Sequence, residues 1–261
     1  LIAIDDNPSA FVAHFKDLPI PERMLLSIEK QVALLGRDGA RIAGILENAG
    51  TRNGAAVQHY YGDKDTLIYA AFIYRYKAYN DWCRHYLELL EHHDSATPNL
   101  NYRVLGLTGA WAYLCKHSLP YCYHAGFIQK MGLTNPGTSG IASDYTWNGP
   151  TRILLDSALA ALEAVLGNEL YTKRIGLGAL HLVNVWAAKE RSIREALSSP
   201  GAERQTIRHQ LDHFSVEMTE TLCANLLREK FRPFESSPLE LLHQTDARCG
   251  EPVWHIEKVN Q

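Results

Sequence analysis

The sequence predicts an all-α fold, with a small N-terminal three-helix unit of helix-turn-helix pattern and a larger helical domain after it. Three observations carry that expectation. Apolar residues return every three or four positions through most of the chain, the period of a helix with one buried face. The breaks between these stretches hold Pro, Gly, Ser and Asn, as at Ser95 to Asn99 and Leu133 to Pro150. Between Gly39 and Leu67, two short periodic segments flank a glycine turn.

With 261 residues, 46% of them apolar, the chain has room for both domains around a sizeable core. The expected divisions are an N-terminal extension over 1–20, the helix-turn-helix unit over 21–66, the larger domain over 67–230 and a tail over 231–261. A net charge of -3 excludes a global basic field that would draw the chain to nucleic acid. Residues 21 to 77 hold eight Lys or Arg against six acids, so any DNA affinity must come from local placement and from pairing of two subunits. Five scattered cysteines (Cys83, Cys115, Cys122, Cys223 and Cys249) with no CxxC pair fit a reduced, cytoplasmic protein. Asp5 and Asp6 stand where a secretory signal needs positive charge, and no apolar run reaches the length of a membrane span, so no membrane partner is expected.

Residues 1 to 20 hold a short apolar patch at Phe11, Val12 and Phe15, and Pro19-Ile20-Pro21 reads as a hinge. The first helix runs from about Glu22 to Leu35, with Met24, Ile28, Val32 and Leu35 on its buried stripe. Ile42, Ile45, Leu46 and Ala49 share one face of a short second helix, which Gly50 ends by supplying a left-handed residue. Asn53 caps the next helix, expected from Gly54 to about Tyr61. Its Val57, Tyr60 and Tyr61 pack inward. Arg52, Asn53, Gln58 and His59 lie at its start or on its free side, where such side chains reach phosphates and base edges in the major groove. Gly62-Asp63 makes a tight exit, and Lys64 stands at the start of another helix, where an ammonium and free N–H groups suit a phosphate.

This stretch resembles the DNA-binding domain of the TetR-type bacterial regulators (the TetR/AcrR family), whose signature ends in an aromatic-His-Phe triplet, a short turn, then Lys and Leu. The corresponding run is His59-Tyr60-Tyr61, Gly62-Asp63, Lys64 and Leu67, extending back without a gap to Gly36, Val32, Ile28 and Met24. From Gly50 to Tyr61 the spacing is one residue longer than in most members, as in the subset with Arg-Asn before the recognition helix, here Arg52-Asn53. The sequence departs from the family in having His59 and Tyr60 in swapped order and small residues at Gly54 and Ala55. The resemblance implies a cytoplasmic homodimer that binds a palindromic site on double-stranded DNA and releases it when a small effector enters the larger domain. Lys64, Tyr60 and the Gly54 N–H would then position phosphates, with Arg52, Asn53 and Gln58 at base edges and His59 beside them.

Past this unit, Thr66 to His92 reads as one long helix joining the two domains. Helices follow from Tyr102 to His117 and from Tyr121 to Met131, then the loop from Leu133 to Pro150 and an amphipathic helix from Ile153 to Leu166. The next helix, about Glu169 to Leu197, is apolar on nearly all sides between Ile175 and Ala188, which predicts burial on more than one face. The last long helix, about Ala202 to Glu229, has Ile207, Leu211, Phe214, Met218, Leu222 and Leu226 in register, and a short helix near Leu239 to His243 interrupts the tail. The resemblance implies that these two long helices pair with their copies as a four-helix bundle.

The middle of the chain is rich in aromatic residues, and Trp82, Tyr86, Trp111, Tyr121, Phe127 and Trp147 are the ones expected to line an effector site, with His181 and Asn184 as orienting polar groups. That placement between helices follows from the resemblance; each aromatic taken singly also suits a core. His209 and His213 stand at i and i+4, yet Asp212 points away from both and a third ligand is missing, so no metal and no cofactor is expected. Cys115 and Cys122 flank a helix break and read as buried thiols or a redox pair. A nucleophile elbow, paired carboxylates in an apolar setting, HExxH, a P-loop and a dinucleotide loop are all missing, so the expectation is not an enzyme. The other reading is an all-α small-molecule binding protein or enzyme with a vestigial helix-turn-helix.

Overall fold

The computed structural model describes residues 15–93, 99–131, 149–198, 204–227, 234 and 237–252. These residues are helical, with no strand among them. In chain order the helices are α1 (Ile20–Gly39), α2 (Ile42–Asn48), α3 (Ala56–Tyr61), α4 (Lys64–His93), α5 (Leu100–Ser118), α6 (His124–Met131), α7 (Pro150–Leu166), α8 (Asn168–Leu197), α9 (Arg204–Leu227) and α10 (Pro238–Cys249).

The N-terminal unit is built on α1, whose Met24, Leu25, Ile28 and Val32 are buried against α2 and α4. Leu35, expected on that stripe, is instead 62% exposed. Gly36 adopts φ +78 and breaks the helical register immediately after it, so the buried face ends at Val32. Ile45, Leu46 and Ala49 are buried as expected, and Gly50 has φ +69 at the turn that ends α2, whereas Ile42 is 41% exposed at its first turn. Tyr60, expected inward, is 45% exposed. Successive helical residues point about 100° apart, and on this short helix the buried side is taken by Ala56, Val57 and Tyr61, which leaves Tyr60 at its margin. The Tyr61 hydroxyl donates to the Pro21 carbonyl at 3.0 Å. The third helix also starts later than expected, at Ala56, because Gly54 and Ala55 form a turn ahead of it.

In the larger domain α5 is central. Nearly every side chain from Leu100 to Ser118 is buried, and α4, α7, α9 and α10 pack around it. The expectation of burial on more than one face fell on α8, where Ile175, Leu177 and Ala179 lie outside the residues whose side chains are described, and among the others burial is partial. Trp186, Ala187 and Ile193 face the core, but Leu180, Asn184 and Ala188 are exposed one turn apart. The helix lies at the edge, with α6, α7 and α9 packed against it. The tail contributes a longer helix than expected. Ser237 caps α10 by accepting from Glu240 N at 3.4 Å, Pro238 opens it, and Leu241 and Leu242 bury against the domain.

α4 runs through both units. Its first turns pack on α1 and α3, and its later ones on α5, α7 and α10. A second connection is α6, which packs against α1 on one side and α8 on the other. Among the described residues no helix is long and apolar enough to cross a membrane.

Candidate functional site

The turn before α3 is built from its own side chains. Thr51 Oγ1 accepts from Asn53 N at 3.2 Å, and Asn53 Oδ1 accepts from Ala55 N at 3.1 Å. The Asn53 side chain therefore fixes the turn and does not cap α3 as expected: with the helix starting at Ala56, the cap position falls on Ala55, which has no side-chain oxygen to offer. Arg52, Asn53, Gly54, Gln58 and His59 are all exposed, and the opposite side of α3, Ala56, Val57 and Tyr61, is buried. His59 meets Tyr60 edge to face at 4.7 Å between ring centroids. One polar surface thus collects six of the seven residues that the sequence marks for DNA.

Lys64 stands apart from them. Its Nζ donates to the carbonyls of Arg37 at 3.1 Å and Ala40 at 3.3 Å, satisfying the end of α1. At the start of α4, Asp63 Oδ1 accepts from Thr66 N at 2.7 Å, and that bond holds its carboxyl below the usual value. One of the N-terminal N–H groups expected to suit a phosphate is thereby given to a carboxylate already in the chain. Beside the turn, an open cleft of about 520 Å³ is lined by Ala43, Leu46, Glu47, Gly50, Thr51 and Arg52.

The aromatic residues separate into groups. Trp82 stacks on Tyr86 at 5.2 Å; its Nε1 donates to Asp246 at 2.7 Å and the Tyr86 hydroxyl to the Tyr102 carbonyl at 2.6 Å. These two anchor α4 to α10 and to α5, with their polar ends satisfied. Tyr121 stacks on Phe15 at 5.0 Å. Trp111 and Phe127 belong to another group centred on His124, at 5.8 and 6.3 Å between ring centroids, with Trp186 6.2 Å from Trp111. Asn184 is exposed and accepts from Gln129 Nε2 at 2.7 Å, His181 is half-buried, and Trp147 lies outside the described residues. In the His124 group two polar atoms, His124 Nδ1 and Trp186 Nε1, are buried without a hydrogen-bond partner among the described residues. Burial, then the charge of Arg75, lowers His124 to about 3, so its imidazole is neutral.

No family model, curated protein or solved structure matches this chain. Its own side chains are the grounds on which a function rests, and a third cluster among them is one that periodicity does not mark. Between α1, α4, α6 and α8, Arg75 donates to both oxygens of Glu29, at 2.8 and 3.3 Å, and to Ser118 Oγ at 2.9 Å. Burial raises the Glu29 carboxyl against the pull of Arg75. Glu190 on α8 accepts the N–H groups of Ala125 and Gly126 at the start of α6, at 2.8 and 3.0 Å. Glu29 and Glu190 are 2% and 1% exposed, so the fold places two buried carboxylates around one guanidinium where the sequence offers no paired acids. Cys115 and Cys122 are both buried beside Glu190, and the Cys115 thiol lies well above its usual value, first through the neighbouring Cys122 and then through burial. His209 and His213 approach to 3.3 Å on the exposed side of α9, while Asp212 turns inward to Lys116. Among the described residues, no group of three metal-ligating side chains forms.

Proposed function

We propose that the chain is a ligand-responsive, DNA-binding transcriptional regulator: a homodimeric repressor that leaves its operator when a small effector binds. The observation that carries the reading is the one-sided character of α3. Its buried side is locked to α1 and α4, and its open side presents Gln58 and His59, with Arg52 and Asn53 in the turn before it, donors and acceptors suited to base edges. With α2 as the supporting helix, α3 would enter the major groove. Tyr60 and the Gly54 N–H would contact phosphates, and Lys64 would do so with the one N–H left after its two bonds to α1.

Two further features support the reading. The exposed Leu180, Asn184 and Ala188 give α8 an unfilled stripe, the place where a second subunit would pair. His124 Nδ1 and Trp186 Nε1, buried without a hydrogen-bond partner among the described residues, support an effector of apolar or aromatic character with a hydrogen-bonding group, held against the ring of Trp111. A half-site spacing of about 34–36 Å, or a multiple of it, is needed for both recognition helices to engage. An effector that binds the mis-spaced state better shifts the population and lowers DNA affinity.

Selection of fragments from the source genome on the purified chain, followed by salt titration of the best fragment, tests the proposal. A palindromic site, bound by the wild type and weakened in Arg52→Ala plus Gln58→Ala, is the expected outcome. A folded dimer, freed of co-purifying ligand, that enriches nothing at low salt would overturn it in favour of a small-molecule binding protein with a vestigial helix-turn-helix. The slight surplus of basic residues over 21–77 is the observation on that side.

A further inference from the structure

The first turn of α6 is held from outside its own helix. A helix leaves its first N–H groups without internal partners, and here α8 supplies them through one side chain: Glu190 Oε1 accepts from Ala125 N at 2.8 Å and Oε2 from Gly126 N at 3.0 Å. Gly126 also approaches α1 closely, since a Cβ there would stand 3.2 Å from the Cβ of Ala33. Glu190 therefore fixes the residue on which α1 rests, and α1 packs directly on α2.

Charged and titratable groups face Glu190 from each neighbouring element. Glu29 comes from α1, Arg75 from α4, and Cys115 from α5 with its Sγ 3.9 Å from Oε1. Cys122 and Tyr123 lie in the connection before α6, and His124 opens α6 as a neutral ring. On α8 itself, Arg194 Nη1 is 3.9 Å from Oε2 and donates to the Cys122 carbonyl. Burial is the largest influence; it outweighs the two backbone bonds and lifts the carboxyl from 4.5 to about 7.

We propose that Glu190 is a proton-operated latch between α8 and α6, closed when ionised and half-released when protonated, that sets how firmly α6 supports α1. A carboxylate offers an acceptor oxygen to each of the two N–H groups. When a solvent proton binds one oxygen, that oxygen loses its charge and part of its acceptor capacity, so its bond to the N–H weakens and the carboxyl turns to give its new O–H an acceptor. The N-terminal unit then keeps α4 as its remaining rigid connection to the larger domain. The consequence for the α3 surface rests on the DNA-binding reading; the latch itself does not, and is measured without DNA.

The full chain, labelled with nitrogen-15 and with carbon-13 at the glutamate carboxyls, is titrated by NMR from about pH 5 to about pH 9. The expected result is that the Ala125 and Gly126 amide signals and one carboxyl signal move together with a midpoint near 7, and that Glu190→Gln holds both amides still. No midpoint for these signals within the range, or the same titration persisting in Glu190→Gln, overturns the latch and assigns the proton elsewhere, Glu29 first. If the variant does not fold, the wild-type carboxyl and amide midpoints decide alone. A latch that titrates in a chain without DNA affinity counts against the DNA reading and leaves the latch standing.

Discussion

The α3 surface and the buried joint around Arg75 do opposite things with the same kinds of side chain. At the surface, Arg52, Gln58 and His59 are exposed, and their polar groups face solvent. At the joint, Arg75, Glu29 and Glu190 are 3%, 2% and 1% exposed, and every charge answers another group of the fold. Replacing a surface charge therefore leaves the fold its own bonds, whereas replacing a joint charge strands a buried partner. The two regions should separate cleanly in stability and in binding.

The largest stability loss belongs to Arg75→Met. The change leaves the Glu29 carboxyl buried and without its guanidinium, which costs about 3–5 kcal/mol when one partner of a buried pair is removed. Urea unfolding of the wild type and variant measures it. A loss under about 1 kcal/mol would mean that water reaches the joint and that the two regions differ less than their exposure implies.

Next comes the pH dependence of the joint. The folded Glu190 carboxyl lies near 7, above its ordinary 4.5, so its contribution to stability is present below pH 4.5 and is lost as the pH rises through about 7. The shift corresponds to about 3 kcal/mol. His124 has the opposite slope: lowered from 6.5 to about 3, it contributes stability above pH 6.5 that is lost as the pH falls. The wild-type curve alone blends the two, so the informative quantity is the stability of Glu190→Gln minus that of the wild type. That difference should grow by about 3 kcal/mol between about pH 4 and about pH 8. A difference that stays flat would show that the carboxyl has an ordinary value.

Gly126→Ala tests the same joint sterically. The added methyl would stand 3.2 Å from the Ala33 Cβ, with backbone behind it, so α1 and α6 must separate by a few tenths of an ångström. Overpacking of this kind costs about 1–3 kcal/mol. Thermal unfolding reads the loss, and the Ala125 amide should shift in the same variant.

What could be read in advance follows the same division. Helices with one buried face announce themselves by spacing, as Met24, Ile28 and Val32 do in α1 and Leu211, Met218 and Leu222 do in α9. The polar side of α3 was legible because turn residues and exposed donors are neighbours in sequence. The joint was not. Glu29, Arg75 and Glu190 lie far apart in the chain, and each reads locally as an ordinary charge on the solvent side of a helix. Leu35 failed for a local reason, since one left-handed glycine after it turns the stripe off. Leu180 and Asn184 failed for a global one: an apolar segment predicts cover on every side, without saying whether the same subunit provides it.

The smallest effect on stability should accompany the largest effect on recognition. Arg52→Ala and Gln58→Ala remove exposed side chains away from any buried network, so each should change unfolding free energy by no more than about 0.5 kcal/mol. On the selected operator each should weaken binding by about 1–3 kcal/mol if it reads a base edge, with the loss concentrated at one position of the half-site. If Arg52 instead contacts phosphate, Arg52→Ala weakens all sequences alike and reduces the salt slope by about 1. Lys64→Met sharpens the contrast from within the same unit. Because its Nζ holds the end of α1 through Arg37 and Ala40, its loss should lower stability as well as affinity, making Lys64 the one expected DNA residue that behaves partly like the joint.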